Sequence, residues 1–437
     1  MKADIDFLFE VFKRSNSVRI DSRQVIEGDL FFAFKGKLTD GHKYVESVLA
    51  MPGTYCVIDD PSFDAGDRTL LVEDTLTALQ QLASAYRDTF EIPVIGITGS
   101  NGKTTSKELI MAVLETKYKI HYTKGNYNNH IGVPLTILSA DENIDIMIVE
   151  MGANKLGDIE ELCDIADPSH GLITNIGKAH IEGFGSEENI LIGKTEMYRY
   201  LEASEGTIFL NKYDSKLLSR LPENTDTELY PLDGVAVKNN GLYLTIENQL
   251  SDQSYDINLY GIYNSMNIHA ALKIGSYFDI DLDTACEAIA QYTPSMNRSQ
   301  VVHRGNTTLI LDAYNANPSS MELSIKQLIS YQGDRKKILC LGDMLELGSD
   351  EVKMHKAMLD LVKGEDIDEL CLVGPIFKMA DTEQHHRHFN NSEELKAFAI
   401  ENMHLFENAV ILVKGSRSIQ LEKFSNIFSD GSIQHTS

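Results

Sequence analysis

The chain has no stretch approaching the roughly 20 apolar residues that a membrane span requires, and no basic start followed by an apolar run. A cytoplasmic protein without a membrane span is expected. Cysteine is scarce. Cys56, Cys163, Cys286, Cys340 and Cys371 are scattered, odd in number and never in C-x-x-C spacing, which argues against a disulfide framework or thiolate metal site. They are expected as small buried residues. Basic residues are also in deficit, 39 Lys and Arg against 65 Asp and Glu, for a net charge of -26. Such a surface repels nucleic acid and anionic membrane, so any anionic ligand must meet locally concentrated positive groups. No internal repeat, low-complexity tract or G-x-G-x-x-G fingerprint is present.

What is present reads as α/β throughout. A length of 437 residues, 43% of them hydrophobic and 24% charged, gives a prior of about three domains with ample core. Residues 1–91 mix short β-like runs, "DLFFAFKG", "TYCVIDD" and "TLLVED", with helical stretches such as "TLTALQQLASAYRD". In residues 92–297, apolar runs alternate with amphipathic helices, predicting a parallel sheet covered on both faces. "GLYLTIENQLSDQSYDINLYG" interrupts that alternation and reads as antiparallel strands. A further α/β cycle over 298–437, from "TTLILDAY" to "NAVILVKGS", predicts a second doubly wound sheet.

The segment "VIGITGSNGKTT" (94–105) places an apolar strand before glycines, Lys103, two hydroxyls and a helix. Backbone N–H groups of such a loop and the helix N-terminus can face an anion, Lys103 adds a point charge, and Thr104 can bind Mg²⁺. The glycine spacing departs from the common G-x-x-x-x-G-K-[ST] form, which suggests a distinct subclass. Asn211, Lys212 and Asp214 in "TIFLNKYD" spell the N-K-x-D of GTP-binding switches, a rival reading from a different functional class. Against it, the strand that should end in D-x-x-G ends "IVEMGAN". Glu150 in that segment is a carboxylate at a strand end, suited to a Mg²⁺ bridging nucleotide oxygens. His180, in a glycine-rich loop, could complete a second cation site or be a turn residue. Lys194 reads on its own as an exposed helical lysine. "QHHRH" (His385, His386, His388) has no evident acidic or cysteine partner and is expected as an exposed loop rather than a metal site.

Taken in order, "GITGSNGKTT", "TKGNYNNHIGVPLT", "EMGAN", "TNIGKAHIEGFGS", "GIYNSMNIHAAL", "LILDAYNANPSSM", "LGDMLELG" and "VKGSR" resemble the Mur ligases of peptidoglycan synthesis. Within that family the likeness is to the type that adds D-alanyl-D-alanine. The resemblance implies an N-terminal domain for the UDP-sugar substrate, a central P-loop ATPase and a C-terminal Rossmann-like domain receiving the amine. ATP would activate the carboxylate of UDP-N-acetylmuramoyl-tripeptide as an acyl phosphate, which D-Ala-D-Ala then attacks. Gly99, Ser100, Asn101, Gly102, Lys103, Thr104 and Thr105 would cradle ATP. Thr104, Glu150, His180 and Lys194, the last as a carbamate, would hold Mg²⁺.

Asn264 and Asn267 match an adenine-side pair, with Tyr263 where a histidine is common. Arg298, Asp312, Tyr314 and Asn315 match a junction closing over the nucleotide. Ser22, Arg23, Lys35, Gly36, Asp40 and Gly41 resemble a uridine-diphosphate region. Asn128 and Asn129 are expected to face the muramoyl-peptide, and Lys414, Ser416 and Arg417 the dipeptide carboxylate. The sister ligase adding the third amino acid usually carries D-N-P in its last domain, which is absent here. A folylpolyglutamate synthase would have no need of a UDP-type first domain. A monomer is expected, its third domain rotating onto the second for reaction.

Overall fold

The computed structural model describes residues 3–36, 39–294, 297–382 and 386–428. The first unit is a four-stranded parallel sheet of Val18–Arg19, Leu30–Phe32, Tyr55–Ile58 and Thr69–Leu71. Its closing helix, Thr75–Arg87, starts where the Asp74 carboxylate accepts from the Thr77 N–H at 2.7 Å, an N-cap that satisfies an orphan donor. Leu79, Leu82, Ala83 and Tyr86 follow at helical spacing and are all buried, giving one apolar stripe. That stripe belongs to two units at once. Tyr86 stacks edge-on against Phe12 at 4.9 Å, while its hydroxyl donates to the Ala140 carbonyl at 2.9 Å. Buried Arg87 donates to the carbonyls of Ala166, Phe90 and Asp167, each at 2.9 Å. The first two units therefore share a continuous core.

The second unit holds six parallel strands in the spatial order 226–230, 207–211, 170–173, 94–98, 146–150 and 120–122. Strand Val94–Thr98 is wholly buried, as its unbroken apolar composition requires of a central parallel strand. The chain winds first towards one edge, through 120–122, then crosses past 94–98 to wind towards the other. Ligands of open parallel sheets bind outside the carboxyl ends of the strands at such a reversal. The glycine loop, Glu150 and the segment after Ile173 all emerge there. The antiparallel insertion is a three-stranded sheet, 235–240, 243–248 and 253–257.

In the third unit the order is 300–304, 307–312, 409–414, 336–342, 369–373 and 387–389. Its first strand, Gln300–Arg304, is antiparallel and was not expected from the sequence, because it lacks an apolar run and pairs only through a hairpin. All five cysteines are buried and free. Among the described residues, no helix is long and apolar enough to cross a membrane.

The histidine cluster differs in part from expectation. His385 lies outside the described residues. His388, however, sits in the edge strand Arg387–Phe389 with its Nε2 2.8 Å from buried Asp381. The acidic partner comes from seven residues back, and makes this a hydrogen-bonded, partly buried strand position rather than an exposed loop.

Candidate active site

The loop after Val94–Thr98 needs glycine at two points. Gly99 has φ 141°, and a Cβ there would lie 2.0 Å from Thr174 Oγ1; Gly102 has φ 79°, and its Cβ would meet the Asn267 amide at 2.9 Å. Both are left-handed positions at which a side chain would strain the backbone and collide. Ser100 Oγ donates to the Gly177 carbonyl at 3.0 Å, and the Asn101 N–H donates to Asn175 Oδ1 at 3.1 Å, so the loop is braced by the neighbouring strand end. Lys103 opens helix Lys103–Leu114 and folds its Nζ onto the Gly99 carbonyl at 2.8 Å. Burial lowers its pKa; Glu150 opposes that shift and Arg298 adds to it.

Glu150 is the hub. One oxygen accepts from Thr104 Oγ1 at 2.9 Å and the other from Asn128 Nδ2 at 2.9 Å. Lys107 Nζ stands 3.6 Å from the carboxylate, and both side chains are 2% exposed. Sequence reading missed Lys107. The signal available was its position three residues after Thr104, on the same helix face. Asn129 Oδ1 accepts from the Ile131 and Gly132 N–H groups at 3.1 and 2.9 Å, fixing the start of helix Gly132–Leu138. Two hard oxygens, from Thr104 and Glu150, thus meet at a helix N-terminus. That is a donor set fitting Mg²⁺, which takes few protein oxygens and completes its shell with phosphates and water. Among the described residues, no group of three or more His, Cys, Asp or Glu could hold a metal by itself.

His180 has φ 55°, and its Nδ1 lies 2.5 Å from Glu346 Oε2 of the third unit. Burial lowers its pKa; Glu346 opposes the shift, and Lys103 and Lys194 add to it. Lys194 corrects the sequence reading. It is 1% exposed because the helix Glu187–Lys194 turns its last residue inward against Phe184, Nζ lying 5.6 Å from that ring. Among the described residues its hydrogen-bond partner is the Ala153 carbonyl at 3.5 Å, at the limit of a hydrogen bond. Burial, then Lys103, pushes its pKa well down.

Asn267 Nδ2 donates to Asn264 Oδ1, and Asn264 Nδ2 to the Tyr260 carbonyl, both at 2.9 Å. Tyr263 meets Ser299 Oγ at 3.1 Å. Arg298 Cζ lies over Tyr314, 3.6 Å from the ring centre, with Arg417 Cζ at 6.0 Å; the Arg298 Nε is buried with no partner among the described residues. Asp312 accepts from Lys414 Nζ at 2.5 Å and Ser324 Oγ at 2.9 Å, so two residues read for different ligands form one partly buried ion pair. Asn315 Oδ1 accepts from the Ala316 N–H at 2.9 Å. Ser416 Oγ accepts from the Leu345 N–H at 3.0 Å. Asn317 Nδ2 donates to Asn101 Oδ1 at 2.7 Å, and the Lys178 N–H donates to Ser319 Oγ at 3.1 Å; these cross-unit contacts also escaped sequence reading.

A cavity of about 800 Å³ gathers these groups. It is lined by Ser100–Thr105, Asn128, Asn129, Glu150, His180, Asn264, Asn267, Arg298, Asp312, Tyr314, Asn315, Lys414, Ser416 and Arg417. Lys194 is not in its wall, although Ala153 beside it is. Ser22, Arg23, Lys35, Gly36, Asp40 and Gly41 lie apart from it, in the first unit. There Arg23 pairs with Asp21 at 2.6 Å and is 87% exposed. Lys35 bridges to Asp40, and the Gly36 N–H donates to the Thr39 carbonyl at 2.8 Å. Asn211, Lys212 and Asp214 also lie outside the cavity. Lys212 pairs with Asp233 at 2.9 Å, and Asp214 caps helix Ser215–Leu218, a local structural use that leaves no base-reading group.

A phosphate loop on a reversing parallel sheet, with a second doubly wound unit closed over it, defines a nucleotide-using enzyme whose site is shared between units. The chain belongs to the Mur ligase family. Residues 14–87 match "Mur ligase family, catalytic domain", 97–275 "Mur ligase middle domain" and 297–417 "Mur ligase, glutamate ligase domain". It is 36% identical to the UDP-N-acetylmuramoyl-tripeptide--D-alanyl-D-alanine ligase of Bacillus subtilis (strain 168), over 93% of this chain and 92% of that one. Among solved structures it resembles MurF from Acinetobacter baumannii, with TM-score 0.85 and 26% identity over 96% of this chain and 97% of that one. It is equally similar to MurF ligase from Thermotoga maritima in complex with ADP, with TM-score 0.85 and 26% identity over 96% and 98% of the two chains.

Proposed function

We propose that this protein joins D-alanyl-D-alanine to the terminal carboxylate of UDP-N-acetylmuramoyl-tripeptide at the expense of ATP, in the cytoplasm, where peptidoglycan precursors are assembled. The observation that carries this reading is the single cavity in which the phosphate loop and Glu150 of the second unit face Arg298, Lys414 and Arg417 of the third. Residues 1–91 would hold the UDP-sugar end, with Ser22, Arg23, Lys35, Gly36, Asp40 and Gly41 around the diphosphate. Residues 92–297 would hold ATP, and 298–437 the incoming dipeptide.

A carboxylate resists attack by an amine until one of its oxygens becomes a leaving group. Ser100–Thr105 hold the ATP phosphates, and Lys103 with Arg298, whose Nε has no partner among the described residues, faces the transferring phosphoryl group. Thr104 and Glu150, and at a second position His180 with a carbamylated Lys194, would hold Mg²⁺, which when bound would neutralise charge between phosphate and carboxylate. Asn264 and Asn267 take the adenine side. Asn128 and Asn129 orient the peptide, bringing its carboxylate in line with the γ-phosphate. Arg417 and Ser416 anchor the dipeptide carboxylate so that its amine attacks the acyl phosphate, and phosphate departs from the tetrahedral adduct. Closure of the third unit excludes water that would hydrolyse the acyl phosphate. Lys194 suits carbamylation: its neutral amine, favoured by burial, adds to CO₂ and loses one proton, leaving an anionic oxygen ligand.

The test is phosphate release from ATP with UDP-N-acetylmuramoyl-tripeptide, comparing D-Ala-D-Ala with single amino acids. Turnover with the dipeptide alone is expected. Turnover with only a single amino acid makes the enzyme the sister ligase, and GTP hydrolysis without substrate overturns the ligase reading.

A further inference from the structure

His180 and Glu346 come from different units and face each other with Nδ1 2.5 Å from Oε2. Both backbones are left-handed, φ 55° and 62°, a conformation non-glycine residues hold only when their surroundings impose it. The Glu346 carbonyl also accepts from the Glu182 N–H at 3.4 Å. The loop that carries Glu346 is pinned residue by residue. Buried Asp343 accepts from the Ile376 and Phe377 N–H groups at 2.9 and 2.8 Å. The Met344 N–H donates to His355 Nε2 at 2.9 Å, and the Leu345 N–H donates to Ser416 Oγ at 3.0 Å. His355 is itself fixed, its Nδ1 donating to the Glu351 carbonyl at 2.7 Å. The backbone that carries Glu346 is thus held within the third unit, while its side chain, 61% exposed, takes its aim from His180.

We propose that Glu346 is a positioning residue for the reaction: donated by the third unit, it fixes the tautomer and orientation of His180, so that the Nε2 lone pair is presented to the cation only when the units are closed. The inference rests on the proposed role of His180 as a cation ligand. A ligating histidine that donates its other ring N–H to a carboxylate is held in one tautomer and made more basic, and loss of such a partner costs about 10–100-fold in metal affinity or activity. The bond is made across the boundary between units. Formation of the second cation position and closure over the acyl phosphate are thereby one event, and the open enzyme is kept from assembling a complete phosphoryl-transfer site.

The experiment uses the full chain with Mn²⁺ as the probe and a non-hydrolysable ATP analogue. Mn²⁺ affinity is followed by electron paramagnetic resonance, and the His180 ring nitrogens by ¹⁵N chemical shifts. The variants are His180→Ala, Glu346→Ala, Glu346→Gln and Ser416→Ala. His180→Ala is expected to weaken the second Mn²⁺ by at least tenfold; if it does not, His180 is no ligand and the functional reading of that residue fails. Given that result, Glu346→Ala should weaken the same Mn²⁺ about 10–100-fold and leave His180 as mixed tautomers. Glu346→Gln, which still accepts the N–H, should recover the single tautomer and part of the affinity. Ser416→Ala, which loosens the loop, should fall between wild type and Glu346→Ala. Unchanged Mn²⁺ affinity and an unchanged His180 tautomer in Glu346→Ala overturn the proposal while leaving the ligase reading intact.

Discussion

Removing Glu150 tests the structural half of its role separately from the catalytic half. Its carboxylate accepts from Thr104 and Asn128 and lies 3.6 Å from Lys107, with both side chains 2% exposed. Lys107 keeps one bond, to the Thr123 carbonyl at 2.7 Å, but in Glu150→Ala its charge stays buried without a counter-ion. Breaking a buried pair from one side costs about 3–5 kcal/mol. A cooperative unit of 150–250 residues shifts about 2–4 °C per kcal/mol, so the melting temperature should fall by about 6–20 °C. The core shared with the first unit enlarges the melting unit and favours the lower end. Adding Lys107→Met removes the stranded charge and fills its volume with an apolar chain. The double variant should therefore recover at least half of the loss, the non-additivity expected of residues in contact. Differential scanning calorimetry measures both steps. On the proposed role of Glu150 as a cation ligand, activity should stay absent in both variants. A double variant melting no higher than Glu150→Ala would refute the argument that the pair carries the stability.

Three further outcomes follow from the same geometry. Because burial lowers the Lys194 pKa, the neutral amine that takes up CO₂ dominates above that lowered value and is lost as pH falls through it. At fixed dissolved CO₂ the activity should decline on acidification, and added CO₂ should restore it; an activity indifferent to CO₂ at every pH counts against the carbamate. Gly41→Ala would set a Cβ 2.9 Å from the backbone N and O of Phe34. Overpacking of this kind costs about 1–3 kcal/mol, so the first unit should be destabilised and the KM for the UDP substrate should rise more than kcat falls. Asn317→Ala deletes the 2.7 Å bond to Asn101, and a net hydrogen bond of about 1 kcal/mol corresponds to about a fivefold weaker closed state. X-ray scattering with an ATP analogue and UDP-muramoyl-tripeptide should show a larger open fraction than wild type, and identical profiles would refute it.

Much of this protein was legible along the chain, and the reason is local. Strand, loop and helix at 94–114 are encoded by an apolar run, two glycines that alone tolerate φ 141° and 79° beside Thr174 and Asn267, and a helical stripe. Glu150 could be read as a strand-end residue because the apolar run before it is local, whereas His180 lies in a loop seven residues past the strand His170–Ile173. Lys194 went the other way: helical periodicity over eight residues leaves the facing surface undetermined, and only packing against Phe184 buried it. His388 likewise found Asp381 through the folding of an edge strand.

By itself, then, the sequence determined the units, the phosphate loop and the chemistry its residues can perform, because backbone torsions and side-chain type act within a few residues. Tertiary structure alone decided which groups share a cavity and which are already spent on one another. Thr104 meets Glu150 across 46 positions, Asp312 meets Lys414 across 102 and His180 meets Glu346 across 166. Contacts at such separations are set by sheet order and by how one unit packs on the next, and neither has a local signature.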